Sequence, residues 1–167
     1  MNYIIKTPSE HKFVKDLVEY LKRESNLFKN FDRWMFSKID EYLDEVYIPY
    51  YDSYANMPKR FKPDFIFWLC KDENYYTLFI DPKGITHTEF GYKVDGYERI
   101  FKDQNGCIKV FHQNGFKIRV FLRLYAADRI GLPERMYKEY WFDSIHKSIS
   151  SLLTDSTSAP TTSAITQ

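Results

Sequence analysis

The chain has 167 residues, 44% hydrophobic and 19% aromatic, enough for one domain whose single core is built largely from Phe and Tyr. Lys plus Arg (24) nearly balances Asp plus Glu (23), so the net charge of +1 excludes a general attraction to polyanions and leaves only a local basic face. The two cysteines form no CxxC pair and sit at no zinc-ligand spacing, which argues against a disulfide scaffold or zinc site and for a reducing compartment. No apolar run is long enough to cross a bilayer, and MNYIIKTPSEHK lacks the pattern of a signal peptide. The expectation is a soluble, cytoplasmic protein that makes no use of a membrane.

In chain order, Thr7, Pro8 and Glu10 fit the N-cap, first turn and N3 of a capping box, and Phe13, Val14, Leu17, Val18 and Leu21 repeat at helical spacing. Residues 31–50 are ambiguous until EVYIPYY, which reads as a strand with Pro49 at an edge or end. YDSYANMPKR is a turn-rich connection. FIFWL and TLFI, separated by KDENYY, predict an antiparallel hairpin. From Thr86 the pattern is helical again, with Phe90, Val94, Tyr97 and Phe101 on one face and Thr86 and Glu89 as a second capping box. Gly91 and Gly96 weaken that helix. KDQNG is a turn, and IKVFHQNGFKIRVFLRLY offers two strands around Asn114-Gly115. PERMYKEYWFDSIHKSISSLL reads as a helix with a break. TDSTSAPTTSAITQ, Ser/Thr-rich and almost uncharged, reads as a disordered tail, which divides the chain into a domain over 1–152 and a tail over 153–167. The whole is an α/β arrangement around a mixed sheet.

Charge appears just where the hairpin's apolar runs begin and end. With the turn near Asp72 and Glu73, opposed residue numbers sum to about 145, which sets Asp64 across from Asp81. Lys83, two residues beyond Asp81, shares its face. Burying three charged groups at one end of an apolar sheet is costly without partners, and a bound cation offsets that cost. Two carboxylates suit Mg²⁺, and a neighbouring lysine can orient a water or steady charge on a phosphate, the equipment for phosphodiester hydrolysis. The plainer readings are that Asp64 starts a strand after Pro63, and that Asp81-Pro82-Lys83-Gly84 is an ordinary turn.

Pro63-Asp64, a hairpin, then Asp81-x-Lys83 resembles the PD-(D/E)xK nuclease superfamily. WMFSKIDEYLDEVYIPYYD, FKPDFIFWL, FIDPKG and KVDGY are similar to the C-terminal endonuclease domain of type III restriction subunits and related helicase-nucleases, over residues 9–142. The resemblance implies a restriction-endonuclease-like core, a mixed β-sheet flanked by helices in αβββαβ order. It implies a DNA endonuclease using Mg²⁺, with Mn²⁺ as a substitute, in which Asp64 and Asp81 bind metal, Pro82 adds its backbone carbonyl and Lys83 is the catalytic lysine. Members of the superfamily often add a glutamate from the first helix. Glu10, on the inward face with Phe13, Leu17 and Leu21, is the candidate, against its plain role in the capping box; Glu41 and Asp44 are rivals for that fourth position.

His87 is a candidate phosphate contact or a structural residue. Lys117, Arg119 and Arg123 form a basic stripe that either meets DNA phosphates or lays its stems over a helix. The aromatic run YIPYYDSYANMPKRFK either stacks bases or packs. No Walker-A loop is present, so double-stranded DNA would be handed over by a helicase/ATPase motor and a specificity subunit supplied elsewhere, with a homodimer also open. The alternative is a catalytically silent nuclease-fold module that binds DNA or scaffolds.

Overall fold

Thr7 starts the first helix as its sequence predicts: its hydroxyl accepts the Glu10 N–H at 3.2 Å, and Pro8 occupies the first turn of α1 (Pro8–Leu21). The computed structural model describes residues 5–40, 42, 44–83, 90–126 and 137–155. Phe13, Leu17 and Tyr20 are the helix's buried stripe, at the spacing that a helix packed on a sheet requires.

The strands are β1 (Arg33–Lys38), β2 (Ile48–Asp52), β3 (Met57–Phe61), β4 (Phe65–Lys71) and β5 (Asn74–Lys83), followed by helix α2 (Phe90–Phe101), β6 (Phe111–Gln113), β7 (Phe116–Ala126), β8 (Trp141–Phe142) and helix α3 (Ile145–Asp155). The main sheet runs β1-β4-β5-β7-β6, with β8 also on β7; β2 and β3 form a separate ribbon. The predicted hairpin is β4–β5, with Phe65 opposite Ile80, the expected register. Asn114-Gly115 turns β6 into β7, both residues at positive φ (50° and 82°) as a two-residue hairpin demands. β5 and β7 are parallel, so α2 is their crossover and the sheet is mixed.

Strand alternation separates two apolar layers. Phe65, Phe67 and Leu69 of β4, Tyr76, Leu78 and Ile80 of β5 and Phe121 of β7 meet α1 and α3 on one face. Ile66, Phe79, Val120, Leu122 and Leu124 meet α2 and the β2–β3 ribbon on the other. At the centre of the first layer Phe13 lies 5.1 Å from both the Phe65 and Tyr125 rings. Truncating such a residue costs about 3–5 kcal/mol.

Four expectations change. The ambiguous stretch before EVYIPYY contains β1, and the turn-rich MPKR contains β3. The last helix is preceded by a 3-10 turn (Lys138–Tyr140) and by β8, where Trp141 and Phe142 pair with Leu124 and Tyr125. α3 continues to Asp155, so helix covers the first residues assigned to a tail; 156–167 lie outside the described residues.

Candidate functional site

The site is built from the ends of three paired strands. Continuing the β4–β5 register one step beyond Phe65 and Ile80 sets Asp64 beside Asp81. The Asp64 carbonyl accepts the Ile39 N–H at 2.8 Å, which carries the β1–β4 ladder one residue further and holds the backbone of Asp64 in place. Asp81 is central to the sheet: it stands between β4 and β7, opposite Leu124, and is 1% exposed with its Oδ2 shielded from water. Asp64 is half-buried. By alternation both acids fall on the face of Ile66, Phe79 and Leu124, beneath α2 and the ribbon. Pro82 is opposite Tyr125 and Lys83 opposite Ala126, at the carboxyl end of the parallel pair. Pro82 therefore sits inside a central strand, at the last turn of the ladder before β5 ends, where one absent N–H is cheapest.

The structure does not bring Glu10 to this pair. Its carboxylate, buried in the opposite layer, accepts Lys38 Nζ at 2.6 Å and the Lys6 N–H at 3.1 Å. Lys38 is the Cα partner of Phe65 and lies over its ring, 5.3 Å from the centroid, which fixes both ends of the ion pair on the α1 side of the sheet. Burial works to raise the Glu10 pKa, but the hydrogen bonds from Lys38 and Lys6 and the Lys38 charge outweigh it and hold the carboxyl below its ordinary value. The capping box is thus shifted by one residue: Thr7 caps Glu10, and Glu10 reaches back to Lys6 instead of Thr7. Asp44 spends Oδ2 on the Asp40 N–H at 2.7 Å, a local turn. Glu41 and His87 lie outside the described residues.

The basic stripe on β7 is largely internal. Arg119 donates to Asn74 Oδ1 at 2.9 Å and is buried. Arg123, 6% exposed, donates to the Leu122 carbonyl and to Ser151 of α3, and its guanidinium lies 4.6 Å from the centre of the Phe142 ring. Lys117 is half-exposed and 3.7 Å from Glu73. Alternation sets Arg119 and Arg123 on the face of Phe121, the α1–α3 layer, where the Arg123 guanidinium packs on the Phe121 and Phe142 rings.

Among the described residues no three His, Cys, Asp or Glu side chains gather as a metal-binding group. Asp64 and Asp81 supply two carboxylates at adjacent register positions, hard oxygen donors of the kind Mg²⁺ accepts alongside retained water, so the donor set fits a hydrated divalent cation. Sequence reasoning missed Lys38, because β1 carried no readable alternation. It also missed the Tyr125 hydroxyl, which donates to Asp16 of α1 at 2.6 Å, a link across residues remote in sequence.

A mixed sheet with two helices on one face and a helix and ribbon on the other defines an α/β sandwich. A family model, the YagJ family, matches residues 2–122, and the chain belongs to the YagJ family. No curated protein and no solved structure matches it.

Proposed function

We propose that this chain is a metal-dependent DNA endonuclease domain with a restriction-endonuclease-like core, the cleavage module of a type III restriction-like or other helicase-nuclease acting on double-stranded DNA. The observation that supports the reading is the β4–β5 register, which ends at Phe65 opposite Ile80 so that its next step is Asp64 and Asp81, with Lys83 two residues further along the same central strand. The order α1, β1, β4, β5, α2, β7 supports it, because it follows the αβββαβ core with the β2–β3 ribbon as an excursion between its first two strands.

Asp64 and Asp81, with the Pro82 carbonyl, are the groups that would hold Mg²⁺ or Mn²⁺. Such an ion supplies Lewis-acid stabilisation of a phosphate and lowers the pKa of a bound water. The chain's own share is positional. The β4–β5 ladder ends one residue from both acids, β7 closes the other edge of β5, and the layer of Phe79 and Leu124 keeps bulk water from Asp81. Lys83 contributes a cation to steady charge on the scissile phosphate.

Plasmid nicking by the purified chain in Mg²⁺ or Mn²⁺ tests the reading. Loss of metal-dependent cutting by at least about a hundredfold in Asp81→Ala and Lys83→Ala supports it; cutting that survives both variants overturns it. The second reading, a catalytically silent nuclease-fold module, is favoured by one observation: Glu10 is held by Lys38 in the other layer instead of joining the two aspartates. DNA binding by a wild type that neither cuts nor takes up metal would support that reading.

A further inference from the structure

The β2–β3 ribbon has one buried face and one open face. Ile48, Tyr50 and Phe61 join the α2 layer, while Tyr47, Pro49, Tyr51, Pro58 and Arg60 point outward. Pro49 pairs with Arg60 and Tyr51 with Pro58 across the ribbon, so ring and guanidinium surfaces alternate over a short antiparallel ladder. The Arg60 guanidinium already lies over the Tyr47 ring, 4.6 Å from its centroid. At the connecting turn Tyr54 is 95% exposed, yet its backbone N–H is anchored on Asp52 Oδ1 at 2.9 Å.

This surface is backed by α2. Gly96 of α2 lets the helix rest directly on the ribbon, since a Cβ there would lie 2.6 Å from Tyr50 Cβ and 2.8 Å from the Pro49 carbonyl. It is also biased in charge. Between residues 47 and 62 the only acid is Asp52, which is buried and paired with Lys59 at 2.5 Å, while Arg60 sits on the open face. The ribbon then runs through Lys62 and Pro63 into Asp64, and it covers the sheet face to which alternation assigns both aspartates.

We propose that the outer face of this ribbon is a stacking platform for bases of single-stranded DNA, with Tyr47, Tyr51 and Tyr54 taking bases and Arg60 a backbone phosphate. Tyrosine faces accept any base, and the exposed Arg60 guanidinium beside the Tyr47 ring matches a polyanion. A duplex, whose bases are stacked on each other, offers the rings nothing to hold. The proposal rests on the nuclease reading only for the polymer being DNA.

Fluorescence anisotropy of a labelled mixed-sequence single strand and of its duplex, in EDTA with the full chain, tests it. The single strand should bind more tightly than the duplex; Tyr51→Ala should weaken it about tenfold, Tyr51→Phe should retain it, and Arg60→Ala should weaken it and flatten its salt dependence. Equal affinity for strand and duplex, unchanged binding in Tyr51→Ala and Tyr47→Ala, or no binding of the strand would each overturn the platform. Because the assay contains no metal, a wild type that binds the strand through these tyrosines but never cuts plasmid sinks the nuclease reading alone, and one that cuts without them sinks the platform alone.

Discussion

At the level of single residues, Glu10 and Lys38 show how a local signal and a distant partner combine. The N3 position of Glu10 was readable from Thr7-Pro8-Ser9-Glu10, and the helix does start there. Its partner was not readable, because Lys38 ends a strand whose exposed first half, Arg33–Met35, shows no alternation. Glu10 is buried and Lys38 largely so, and removing the lysine leaves the carboxylate desolvated and unmatched. Lys38→Met should lower the unfolding free energy by about 3 kcal/mol, and adding Glu10→Gln should recover much of it, as a urea-denaturation cycle would measure. The carboxyl of Glu10 titrates below its ordinary 4.5 in the folded chain. Its contribution to stability is therefore complete above that value and is lost as pH falls through the lower, folded one. Acid-induced unfolding followed by circular dichroism should show a shallower loss below about pH 4.5 in the Glu10→Gln variant than in wild type.

Two glycines, at the scale of elements, separate propensity from packing. In the sequence Gly96 counts against a helix; in the structure it is what allows α2 to touch the ribbon. Gly96→Ala gains roughly 1 kcal/mol of helix propensity, but its Cβ meets backbone and a Cβ, neither of which can swing aside. A net loss of about 2 kcal/mol and a lowered melting temperature are expected, read by calorimetry. Gly115 is the opposite case, with open space around it and a φ of +82°, so Gly115→Ala should cost only about 1 kcal/mol, from the backbone alone. The hairpin at Asn114-Gly115 was legible because turn chemistry is local. β3 was not, since Pro58, Lys59 and Arg60 read as a loop and its pairing with β2 is what makes it a strand. β8 was hidden for the same reason: two residues, Trp141 and Phe142, extend only because β7 offers an edge. The candidate site lay at the readable end of this range, because one tight hairpin fixes the acids' register. The basic stripe did not, because alternation says which residues share a face and not what covers it.

For the molecule as a whole, a cation held between Asp64 and Asp81 would join β4 to the central strand and would bind only the folded chain. Millimolar Mn²⁺ or Mg²⁺ should therefore raise the melting temperature of wild type by several degrees and leave Asp81→Asn unmoved, a thermal-shift comparison that needs no DNA. A shift that persists in Asp81→Asn would place the ion elsewhere. The sheet's order has another consequence, for synthesis. β4 and β5 pair as a tight hairpin, but β1 reaches β4 only across the β2–β3 ribbon, and β5's second edge waits for β7, which follows the whole α2 crossover. Until β7 leaves the ribosome, Phe79, Ile80 and Asp81 stand on an unprotected strand edge. A chain that stops short of β7 would carry both acids in register, and it would aggregate through that edge before it could bury them.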